Sequence, residues 1–116
     1  MTEGGLVSVI DNPHAIEFKT DGTEMYIIRS DGSTRVSIEQ FTLSTPWDTT
    51  TISWTTFKNI KTGCFGSIQQ RGLDFKPDGT RVFVASQGNK KVGQYDLTTP
   101  WAVSYTHLTL PTKRIV

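Results

Sequence analysis

The sequence predicts an all-β chain built from a repeated four-stranded unit, and three observations carry that prediction. Two stretches recur at nearly fixed spacing. Phe18-Lys19-Thr20-Asp21-Gly22-Thr23 returns in the second half of the chain as Phe75-Lys76-Pro77-Asp78-Gly79-Thr80. Gln40-Phe41-Thr42-Leu43-Ser44-Thr45-Pro46-Trp47 returns in the same order as Gln94-Tyr95-Asp96-Leu97-Thr98-Thr99-Pro100-Trp101. The apolar residues around these anchors follow the two-residue period of a strand, and no segment shows a helical period with caps. Each copy also carries an Asp-Gly pair where a hairpin reverses, because Asp bonds nearby backbone and Gly accepts positive φ.

The elements follow in order. Residues 6 to 10 read as the last strand of a preceding unit. Residues 15 to 18 alternate as a half-buried strand, and residues 72 to 75 place apolar side chains at the same positions. After the Asp21-Gly22 turn and its counterpart Pro77-Asp78-Gly79 come residues 25 to 28 and 82 to 85. These are short β-branched and aromatic runs that suit central strands buried on both faces. Residues 38 to 43 and 92 to 97 form the third strand, again with period two. A fourth strand lies within residues 51 to 57, after the Thr-Pro-Trp corner. The first copy carries three extra residues between its anchors, and they fall in the turn-rich stretch 30 to 35, where a loop tolerates insertion.

Four antiparallel strands per repeat, joined by short turns, describe a blade of a β-propeller. On this reading residues 1 to 102 are a partial propeller: 6 to 10 end one blade, 15 to 58 form a full blade, and 71 to 102 form an incomplete second one. That is roughly one and three-quarter blades of a larger ring, taken as seven-bladed within the usual range of about four to eight. A single repeat leaves its faces uncovered, so the expected partners include missing blades of a parent protein or self-association of copies.

The blade pattern Phe-Lys-Pro-Asp-Gly-Thr, an apolar strand and then Gln-Tyr-Asp-Leu-Thr-Thr-Pro-Trp resembles the propeller repeats of the YVTN and WD-repeat type. A narrower likeness is to repeats in uncharacterised proteins from bacteriophages and environmental DNA. That resemblance covers residues 6 to 102 and implies a binding role, virion- or tail-associated or at another surface. The pattern departs from the WD repeat: Phe41-Thr42 and Tyr95-Asp96 stand where Trp-Asp ends the third strand, and no Gly-His pair precedes the blade. Ser30-Asp31-Gly32-Ser33-Thr34 only distantly approximates the Asp box of sialidase-like propellers. Residues 103 to 116 resemble a translated sequencing-adapter tail and read as non-native, although residues 103 to 110 have a composition that could form a fourth strand.

Composition sets the outer bounds. With 116 residues, 35% hydrophobic and 20% charged, the chain reads as a soluble globular unit rather than a disordered or membrane-spanning one. A net charge of +1, with no basic cluster, leaves no footprint for nucleic acid or lipid. The N-terminal stretch has no basic segment followed by an apolar run, so no signal peptide is expected. The lone Cys64 excludes an intrachain disulfide and reads as an inert thiol.

No nucleophile elbow, phosphate loop, paired-carboxylate motif or zinc signature is found, so no catalytic residue, metal or cofactor is expected. Asp21, Gly22, Pro77, Asp78 and Gly79 are read as structural turn residues rather than ligands. Four residues are weak ligand-binding candidates: His14 ahead of an inner strand, Arg71 near one mouth of a channel, and Trp47 and Trp101, whose indoles could stack on a sugar but more naturally pack on the blade. The expectation is a non-catalytic binding or structural module with a protein or glycan partner. The alternative is a piece of a lactonase-like propeller enzyme, whose catalytic groups would come from other blades.

Overall fold

The computed structural model describes residues 13–30, 36–60, 70–86 and 91–108. Two four-stranded antiparallel sheets follow one another along the chain, each in plain sequence order. The first contains β1 (Pro13–Phe18), β2 (Glu24–Ser30), β3 (Val36–Leu43) and β4 (Ile52–Asn59). The second contains β5 (Gln70–Phe75), β6 (Arg81–Ser86), β7 (Lys91–Leu97) and β8 (Thr106–Leu108). A short 3-10 turn precedes each outer strand, at Thr49–Thr51 and at Val103–Tyr105. Such meanders, stacked face to face, are blades of a β-propeller.

Register assigns the faces. Ile16 pairs with Ile27, and Phe18 with Met25; Met25 pairs with Phe41 and Ile27 with Glu39. These residues share the front face of the first sheet. Ala15, Tyr26, Ile28, Ile38 and Gln40 occupy the back face, one pleat away. A bulge between Gln40 and Phe41 shifts the phase of β4, so that Trp54 opposes Phe41 and Phe57 opposes Glu39, both on the front face.

The main core forms where the back face of the first sheet meets the front face of the second. Tyr26, Ile28, Val36 and Ile38 join Leu73, Phe75, Val82, Val84, Tyr95 and Leu97 in one buried cluster. Hydrophobic burial drives this contact, and two buried hydrogen bonds fix its register. Tyr26 Oη donates to the Trp101 carbonyl at 2.6 Å, and Val103 N–H donates to Gln40 Oε1 at 3.1 Å.

Two expectations change in detail. β2 is buried on both faces, Met25 to Ile28 being at most 4% exposed. β6 is not: Val82 and Val84 are fully buried, while Phe83 is half-buried and Ala85 exposed. The physical reason is that one face of β6 meets the first sheet and the other meets no described strand. The second sheet also has an outer strand, β8, whose residues pair with Tyr95, Asp96 and Leu97. Residues 103–108, which the sequence reading assigns to a tail, therefore occupy turn and strand positions, as their composition allows. The stretches 6 to 10 and 31 to 35 lie outside the described residues, as does Cys64. No helix among the described residues is long and apolar enough to cross a membrane.

Candidate functional site

The repeated motifs converge on a pair of matching corners. Gly22 N–H donates to the Lys19 carbonyl at 2.8 Å, and Lys19 N–H donates to the Glu24 carbonyl at 2.9 Å, so the β1–β2 loop spans residues 19–23. This is longer than the tight two-residue hairpin that Asp-Gly suggests, and the glycine follows a turn of the backbone instead of sitting at its centre. Gly22 takes φ of 76°, as does Gly79. Asp21 Oδ1 accepts from Thr23 N–H at 3.0 Å and Thr23 Oγ1 at 2.6 Å. Asp78 does the same with Thr80, at the same distances. A third such cap, which the repeat does not single out, is Asp48 on Thr50 ahead of the first 3-10 turn.

Each corner tryptophan closes onto its glycine. Trp47 and Trp101 both have φ of 66°, the left-handed region that side chains disfavour. What holds them there is visible: Trp47 N–H donates to the Gly22 carbonyl and Trp101 N–H to the Gly79 carbonyl, each at 2.9 Å. The indoles lie over the glycines, so closely that a Cβ at either position would fall 2.4 Å from ring atoms. Phe18 backs Trp47 at 5.2 Å between ring centroids, and Phe75 backs Trp101 at 5.1 Å. Their surroundings differ sharply. Trp101 is 9% exposed beneath the first sheet, with Tyr26 stacked 6.1 Å away, whereas Trp47 is 59% exposed.

The inner strands β1 and β5 lie against each other and bring together two acids that alternation alone treats as outward strand positions. Glu17 and Asp74 come within hydrogen-bonding reach; burial first, and then the neighbouring Asp74 carboxylate, push the Glu17 carboxyl above its usual range. The signal is present in the sequence, because the offset that superposes Phe18 on Phe75 also carries Glu17 onto Asp74. His14 lines an open hollow of about 340 Å³ with Pro13, Ala15 and Ile16 of the same strand and Ile27 of β2. Arg71 is the second residue of β5; its side chain lies outside the described residues. The structure thus sets His14, Glu17 and Asp74 along one edge, with Trp47 and Trp101 at the corners.

A buried carboxylate on β3 is a further residue that the sequence hides. Glu39 is 2% exposed; its Oε2 accepts from Ser37 Oγ at 2.6 Å and its Oε1 from Trp54 Nε1 at 2.9 Å. Satisfied acceptors make such burial tolerable. Among the described residues no group of three or more His, Cys, Asp or Glu side chains is placed to hold a metal ion.

No protein family and no curated protein matches the chain. Among solved structures, the chain is similar to a candidate 6-phosphogluconolactonase of Bacteroides fragilis, with a TM-score of 0.61 at 13% sequence identity. The match covers 86% of this chain and 25% of that one, so the chain spans a quarter of the length of that structure. At this identity the likeness establishes the propeller-like fold alone.

Proposed function

We propose that the chain is a blade pair of a non-catalytic binding propeller, presenting its inner edge and loops to a protein or glycan partner. One observation carries this reading: the recurrent polar and aromatic residues serve the architecture. Asp21 and Asp78 cap their own turns, and Trp47 and Trp101 close on glycines. What is left to differ between blades is the surface around them, which is where a binding scaffold varies. A phage-associated or other surface role belongs to the same reading and rests on the YVTN-like repeat pattern.

A second reading is favoured by one specific observation, the Glu17–Asp74 carboxyl pair at the inner edge, in a fold shared with a candidate lactonase. Two neighbouring carboxyls, of which burial raises one, can divide acid and base roles. Catalysis would then need groups from further blades.

The two readings part in one experiment. The propeller completed by its further blades is screened on glycan and protein arrays and, in parallel, assayed for hydrolysis of 6-phosphogluconolactone, each with wild type and Asp74→Asn. Partner binding without lactone turnover supports the scaffold. Turnover that falls at least tenfold in Asp74→Asn overturns it in favour of the enzyme.

A further inference from the structure

The two repeated turns each join an aspartate to a glycine, Asp21–Gly22 and Asp78–Gly79; a further such pair, Asp31–Gly32, lies outside the described residues. An aspartyl-glycine unit is open to attack on the side chain by its own backbone. The glycine nitrogen adds to the aspartate Cγ, one carboxyl oxygen leaves as water, and a five-membered succinimide forms. Water then opens the ring at either carbonyl, returning aspartate or leaving a β-linked isoaspartate with one more methylene in the main chain. No reagent beyond water takes part. Glycine favours the step because no Cβ shields its nitrogen, and both carboxylates face solvent, with side chains 56% and 55% exposed.

The fold opposes each requirement of that reaction. Closure needs a free amide, but Gly22 N–H donates to the Lys19 carbonyl and Gly79 N–H to the Lys76 carbonyl, each at 2.8 Å. It needs the carboxyl to rotate onto that nitrogen, but Oδ1 is held by the amide and hydroxyl of Thr23 in one turn and of Thr80 in the other. It runs best from a protonated carboxyl, and the same threonine bonds hold both carboxyls below their usual range. We propose that Asp21 and Asp78 are sites of isoaspartate formation, each guarded in the folded protein by the threonine two residues on, and that Asp21 is the less well guarded.

The order follows from what surrounds each turn. Pro77 precedes Asp78 and fixes the backbone there, where Thr20 leaves it freer. Lys76 Nζ stands 3.6 Å from Asp78, whereas Lys19 Nζ stands 3.9 Å from Asp21 and 3.6 Å from Glu24, so the first turn shares its cation. In the second turn the counterpart of Glu24 is Arg81, which donates to Asp96 instead. Asp48 supplies the contrast: its cap on Thr50 has the same distances, but Thr49 follows it, and a β-branched side chain crowds the attacking nitrogen. An isoaspartate at either turn shifts the next glycine by a methylene, away from the tryptophan N–H that its carbonyl accepts from.

Ageing the protein in neutral buffer, with and without urea, tests this when followed by peptide mapping with a protease that cuts at α-linked but not β-linked aspartate. In urea, Asp21 and Asp78 are expected to convert quickly and Asp48 slowly. In the folded protein both are expected to slow, with Asp21 converting several-fold faster than Asp78. Thr23→Val and Thr80→Val are each expected to speed conversion several-fold at their own turn alone, because a hydroxyl bond to a charged group is lost. Thr80→Ser keeps that bond and is expected to keep the wild-type rate. Should a valine variant lose its strand signal in circular dichroism, the wild-type comparison with and without urea decides alone. A folded protein that converts as fast as the urea sample overturns the proposal. Asp78 converting as fast as Asp21 or faster, or folded valine variants that keep the wild-type rate, overturns it as well.

Discussion

At the scale of single residues, the corners make an unusual demand, because a strained tryptophan and an unsubstituted glycine each require the other. Gly79→Ala places a methyl 2.4 Å from an indole that is 9% exposed and cannot swing away, at a φ of 76°. Gly22→Ala creates the same overlap against an indole that is 59% exposed and has room to move outward. Both variants bear the left-handed penalty of about 1–2 kcal/mol. Urea denaturation is expected to show Gly79→Ala as the costlier of the two. Glu17 supplies a second test with a definite sign. Its carboxyl holds its proton more tightly in the folded protein than the usual 4.5, so folding is disfavoured once it ionises. Glu17→Gln is therefore expected to melt at a higher temperature than wild type at pH 7, with the gap closing as pH falls through the raised value and vanishing below 4.5. The separate motifs of the corners are legible in the sequence; their contact is not. Nothing in a period of two places the Trp47 indole on Gly22, two strands earlier in the chain, since that depends on how β3 turns at its end.

At the scale of elements, the three Asp-x-Thr caps behave as one device used three times. Hydrogen bonds from the Thr23, Thr50 and Thr80 hydroxyls and backbone amides hold the Asp21, Asp48 and Asp78 carboxyls below their usual range. Groups depressed in this way stabilise the fold above their ordinary value of 3.8, and the effect is lost as pH falls through the depressed one. Asp78→Asn is expected to lower the thermal midpoint at pH 7, with the gap to wild type narrowing as pH falls below 3.8 and the native side chain takes up its proton. Strand positions are readable because β-branched and aromatic residues alternate against turn residues, and seven strands fall where that pattern places them. Glu39 is not readable. A carboxylate in an alternating strand suggests solvent, yet Ser37 and Trp54 bond it from either side, and the second comes from a strand whose phase a bulge has shifted.

At the scale of the molecule, stability rests on one contact between two sheets. Tyr26→Phe keeps the ring 4.5 Å from Phe75 but removes the donor to the Trp101 carbonyl. A buried acceptor left without its partner costs about 1–3 kcal/mol. Burial raises the phenol above its ordinary value of 10, so the loss is expected to be the same in acid and in neutral solution. Hydrogen exchange should show faster opening of β5 and β6 in the variant, with β2 to β4 less affected. The stacking of sheets follows from repetition, because a sheet with two apolar faces must be covered. Which strand positions stay exposed cannot be read from local sequence, since Ile16 and Leu73 are near-identical in character and only neighbours separate 53% exposure from 9%.

The two kinds of closure also differ in how far along the chain they reach. Each tryptophan finds its glycine within its own blade, whereas Tyr26 meets Trp101 only in the next one. Short loops close fast and long ones slowly, so the order of events in folding is written into these separations. Substitutions at a corner should slow refolding, whereas those at Tyr26 should chiefly hasten unfolding. The corners can thus close within each blade first, while the core waits for the second sheet to arrive.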